Sequence, residues 1–96
     1  MRDEVLNRAV VVFIWGSPRR GWPGSHPDAV REMFGDQADG LLRRIDALIA
    51  EVGRIPPADD LAVYGRRIAE TLRSRHPELD DEARKAFAGK FTYSWR

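Results

Sequence analysis

Between Ala38 and Val52 apolar residues return every three or four positions: Ala38, Leu41, Leu42, Ile45, Leu48, Ile49 and Val52. That spacing predicts a helix with one buried face, and the interleaved Arg43, Arg44, Asp46 and Glu51 face outward. Asp36 is placed to cap it, with Gly35 ending a helix before it, and Pro56 and Pro57 close it. A second stripe, Leu61, Tyr64, Gly65, Ile68 and Leu72, starts at Asp59 or Asp60 and stops at His76 and Pro77. From Asp80 the pattern restarts with first-turn acids Asp81 and Glu82, then Ala83, Ala86, Phe87, Phe91 and Trp95.

Ser25, His26, Pro27 and Asp28 read as a helix start, with a capping serine, an early proline and an acid three residues on. Val30, Met33 and Phe34 form the expected buried face of that short helix. The first segment is ambiguous, because Val10 to Trp15 is rich in β-branched and aromatic residues and also suits a buried strand. A helix is preferred: Asp3 and Glu4 suit a first turn, Leu6, Ala9, Val10 and Phe13 make a stripe, and no second strand exists to pair with. Residues 16–24 are a breaker-rich Gly/Pro/Arg loop. The expected architecture is all-α, a compact single-domain bundle of four to five helices over residues 1–96, the first being a strand in the alternative.

Composition bounds the function. The 43% hydrophobic and 32% charged fractions are those of a folding chain. Sixteen Lys and Arg stand against fifteen Asp and Glu. Cut after Arg54, the halves balance at eight against eight and eight against seven, so neither half is a basic arm for nucleic acid or membrane. No cysteine is present, which excludes disulfides, a thiolate nucleophile and Cys-based zinc sites. The seven apolar residues Ala9 to Trp15 are too few to cross a bilayer and lack a signal-peptide pattern, so a soluble cytoplasmic chain is expected.

No motif names a reaction. The loop from Gly16 to Gly21 has P-loop glycine spacing, but Trp22 and Pro23 stand where Lys and Ser or Thr are required. Serines lack a nucleophile elbow, and Glu78, Asp80, Asp81 and Glu82 lack EF-hand spacing and complement a helix start instead. His26 and His76 precede prolines at helix boundaries, where end-capping accounts for them; a site made of both with Glu78 or Asp80 requires that they meet in space. The chain is therefore expected to be no enzyme and to need no cofactor or metal.

The remaining excess is apolar. Seven successive apolar residues exceed one amphipathic face, so the first helix either lies centrally or turns its outer side to a partner. Val11, Ile14, Trp15, Tyr93 and Trp95 are the candidate contacts of a protein–protein interaction module (an adaptor, an immunity-type protein or a regulatory subunit) whose partner is another protein or a second copy. The alternative is weak nucleic-acid or phosphate binding through Arg19, Arg20, Trp22, Arg66, Arg67, Arg73 and Arg75, less favoured because acids open the following helix. The tail, Arg75 to Ala83 and Phe91 to Arg96, resembles the endings of small helical bacterial proteins over about the last quarter of the chain, and this resemblance implies no activity.

Overall fold

Asp3 turns the chain into its first helix: its carboxylate accepts the Leu6 N–H at 3.1 Å, which satisfies one of the donors a helix start leaves open. The helix, α1, runs Glu4–Trp15, so the Val10 to Trp15 run is helical. The computed structural model describes residues 3–17 and 21–94, and every regular element among them is helical. Four helices have twelve to fifteen residues: α1, then α3 (Ala38–Val52), α4 (Leu61–Arg75) and α5 (Asp81–Ser94). A shorter one of eight, α2, runs Pro27–Phe34.

The stripes read from sequence are buried where the spacing placed them. Ile45, Leu48 and Val52 of α3, Tyr64, Ile68 and Leu72 of α4, and Ala83, Ala86 and Phe87 of α5 join Leu6, Ala9, Val10, Phe13 and Ile14 of α1 in one core. Helix α1 packs between α2 and α5, α4 packs on α5, and α3 packs on α2 and α1. Helices α1 and α5 run in the same direction. At their starts Asp3 N–H donates to Glu78 O at 3.0 Å, and near their ends a Cβ on Gly89 would sit 3.9 Å from Trp15 Cζ2. Helix α4 runs opposite to α5 and closely against it, since a Cβ on Gly65 would meet Thr92 Cγ2 at 3.4 Å.

The caps differ from expectation in two places. Pro27 takes the first helical position of α2, so His26 becomes its cap residue and no side chain bonds there. Ser25 is left to accept from the Lys90 ammonium at 3.0 Å. Asp36 does not cap α3 either, because a 3₁₀ turn, Gly35–Gln37, leads the chain directly into it. Met33, expected inside, is 45% exposed.

Residues 21–26 close the end of α1. The Gly24 and His26 N–H groups donate to the Ile14 and Phe13 carbonyls at 2.8 and 2.7 Å, two acceptors that the helix end leaves open. Lys90 of α5 fastens this loop by donating to Gly24 O at 3.1 Å as well as to Ser25. Burial holds the Lys90 ammonium below the ordinary lysine pKa.

Two glycines separate conformational need from simple tolerance. Gly35 ends α2 at φ +56°, so Gly35→Ala is expected to cost about 1 kcal/mol. Gly89 has ordinary helical backbone and room for a methyl group beside Trp15, so Gly89→Ala is expected to raise stability by about 0.5–1 kcal/mol. Urea unfolding of both variants checks the opposite signs.

Candidate functional site

Helix α1 packs on α2, α3 and α5 and keeps one side open. A groove of about 440 Å³ follows that side, floored by Glu4, Asn7, Arg8, Val11 and Val12, with Met33 of α2 on one wall and Asp80 and Glu82 at the start of α5 on the other. Helical geometry explains the row, since positions 4, 8, 11 and 12 stack on one face. The apolar run from Ala9 is thus divided: Ala9, Val10, Phe13 and Ile14 enter the core, while Val11, Val12 and Trp15 are half-buried.

Two of the groove's polar side chains, Asn7 and Asp80, are engaged within the fold. Asn7 is 3% exposed, the one buried polar side chain among the described residues. Its amide nitrogen donates to Glu78 O at 3.1 Å and its oxygen accepts the Asp80 N–H at 3.0 Å. Asp80 in turn caps α5 by accepting the Ala83 N–H at 2.9 Å. What remains toward solvent is the apolar surface of Val11, Val12 and Met33, with Glu4, Arg8, Asp80 and Glu82 along it.

A second recess, of about 190 Å³, contains Leu6, Arg44, Leu48, Glu51, His76 and Glu78. His76 lies between two carboxylates, with Nε2 2.6 Å from Glu51 and Nδ1 3.4 Å from Glu78. Glu51 also pairs with Arg75 at 2.7 Å, and Arg44 pairs with Asp3 at 2.7 Å. Both imidazole nitrogens face acids and both arginines have partners, so the geometry is that of a clip between the ends of α3 and α4. The His76 hydrogen bond holds the Glu51 carboxyl below the usual carboxylate range, helped by the Arg75 and Arg54 charges, and the Arg44 hydrogen bond does the same for Asp3.

A carboxyl lowered in the folded state adds stability above its unfolded pKa and loses it as the pH falls through its folded one. The protein is therefore expected to weaken as the pH drops below the ordinary carboxylate range. Glu51→Gln is expected to cost about 1 kcal/mol at neutral pH, and the gap to wild type should narrow on acidification. Urea midpoints measured across the acid range check this.

The residues expected to carry function are dispersed. Val11 lines the groove. Ile14 is 0% exposed and is corrected from a partner contact to a core residue: its position on α1 turns it inward with Val10. Trp15 is half-buried against the core beside Gly89, and Tyr93 is exposed one turn further along α5. Trp95, Arg19 and Arg20 lie outside the described residues. Trp22 is 57% exposed on the loop that Lys90 fastens. Arg66, Arg67, Arg73 and Arg75 are exposed along α4. Arg67 donates to Pro56 O at 2.9 Å, and Arg75 is held by Glu51.

The two histidines do not meet. His26 bonds the backbone at Phe13 and Glu78 bonds it at Asp3, opposite ends of α1 about 15 Å apart. Among the described residues no cluster of three His, Cys, Asp or Glu is arranged to hold a metal, and no helix is long and apolar enough to cross a membrane. Sequence reasoning missed Asn7, Met33 and the Glu51–His76 pair. Only Asn7 had a signal, as a polar residue inside the Leu6, Ala9, Val10 stripe. Set beside known protein families, curated proteins and solved structures, the chain finds no match.

Proposed function

We propose that this chain is a non-catalytic helical interaction module that binds another protein through the open side of α1. The observation that carries the reading is the groove itself: Val11, Val12 and Met33 form an apolar floor and wall between two flanking helices, where a further helix of a bundle would pack. Asn7 and Asp80 support it by fixing the start of α5 against α1, so the two sides of the groove are held at a set spacing. Methionine at the wall suits protein contact, since its unbranched side chain adapts to a partner's shape.

The test is a native pull-down of the tagged chain from its own cells, divided between nuclease with high salt and no treatment. The expected result is a stoichiometric protein retained through both treatments. Loss of all bound material under nuclease and salt overturns the reading in favour of the arginine and Trp22 surface.

A further inference from the structure

We infer that the occupant of the α1 groove is a basic amphipathic helix of a partner protein, an inference that rests on the docking reading above. Charge selects it. Glu4, Asp80 and Glu82 border the groove against Arg8 alone, a local balance of minus two on a chain whose formal net charge is +1. The surplus is local to the starts of α1 and α5, where Glu4, Asp80 and Glu82 stand. A second copy docked by two-fold symmetry would bring this same patch against itself, acid facing acid, which disfavours self-association through this face. Nucleic acid and an anionic bilayer meet the same repulsion.

Dimensions select a helix. The floor from Glu4 to Val12 extends about 12 Å, two helical turns. A partner helix laid there presents apolar residues at i, i+3 or i+4, and i+7 to Val11, Val12 and Met33, while flanking Lys or Arg side chains reach the acids. Most of the recognition is then apolar area, with the acids setting partner choice and rate of encounter.

The experiment places a photoreactive benzoylphenylalanine at position 33, irradiates producing cells and sequences the cross-linked peptide. Met33 is exposed, so the probe leaves the core untouched. The expected peptide comes from another protein, carries an excess of Lys and Arg, and has helical apolar spacing. In the Glu4→Gln, Glu82→Gln double variant, which keeps the side-chain shapes, cross-linking falls about five-fold, and added salt lowers the wild-type yield. An acidic or neutral peptide, or a yield indifferent to both changes, overturns the basic-helix inference and leaves the docking reading standing. A peptide of this same chain overturns it in favour of a dimer. No protein cross-link from position 33 in cells where the pull-down recovers a stoichiometric partner overturns the groove as the docking surface.

Discussion

Phe87→Ala is expected to lower the unfolding free energy by about 3–5 kcal/mol, the range for removing a fully buried aromatic ring. Phe87 is 0% exposed and among the largest side chains wholly enclosed. It sits on α5, which packs against both α1 and α4. The cavity left by the ring therefore lies where these helices are held together, and neighbours anchored on separate helices relax into it only in part. For a domain of this size, total stability is on the order of 5–15 kcal/mol, so one substitution removes about a fifth of it or more. Thermal unfolding should show a midpoint lowered by about 15–30 °C. Phe91→Ala, at a half-buried position on the same helix, should cost roughly half as much. A loss below about 1.5 kcal/mol for Phe87→Ala would mean that α5 is not central to the core.

Asn7→Leu is expected to cost about 2–3 kcal/mol although it adds apolar volume to an apolar face. Asn7 joins α1 to the segment between α4 and α5 by donating to Glu78 O and accepting from Asp80 N–H. Leucine leaves the Asp80 N–H without its partner and takes from Glu78 O one of its two donors, the other being the Asp3 N–H, and the loss of a buried partner costs more than a typical hydrogen bond gains. Asparagine is suited to this place because its side chain offers a donor and an acceptor side by side. Asn7→Asp keeps the acceptor for Asp80 N–H but turns a carboxylate oxygen toward the Glu78 carbonyl. Its acid form restores the donor, so the folded-state pKa of the new carboxyl should be raised. The stability deficit should then be smallest at low pH and grow as the pH rises through that value. Urea unfolding of both variants, with circular dichroism to confirm helix content, checks the size and the pH trend. Because Asp80 forms one wall of the groove, the same variants should also weaken partner binding by loosening that wall.

The helices were legible in the sequence because each carries its own evidence. Ile45, Leu48 and Val52, or Tyr64, Ile68 and Leu72, are spaced so that only a helix puts them on one side. The first helix was legible as a helix but not in its orientation. Val11 and Ile14 both belong to an unbroken apolar run with no polar residue to mark the outer face, and only packing between α2 and α5 turns one outward and the other inward. The caps were misread at Ser25 and Asp36 because a proline one residue on, or a 3₁₀ turn, moves the helix start by a residue or two. Much of the site was invisible for a different reason. Glu51 and His76 meet across 25 positions of sequence. Met33 has the composition of a core residue, and what exposes it is the absence of a helix over α1.

The claim that the open side of α1 is the docking surface is tested most directly by a matched pair of substitutions, Met33→Lys and Val63→Lys. Both residues are exposed and apolar, one on the groove wall and one on α4, so each variant should fold with near wild-type stability. A lysine in the groove wall places a charge where apolar contact is needed and repels a basic partner, whereas one on α4 lies away from the groove. Co-precipitation of the partner is expected to be lost with Met33→Lys and retained with Val63→Lys. Retention with Met33→Lys, or equal loss with both, would contradict the account.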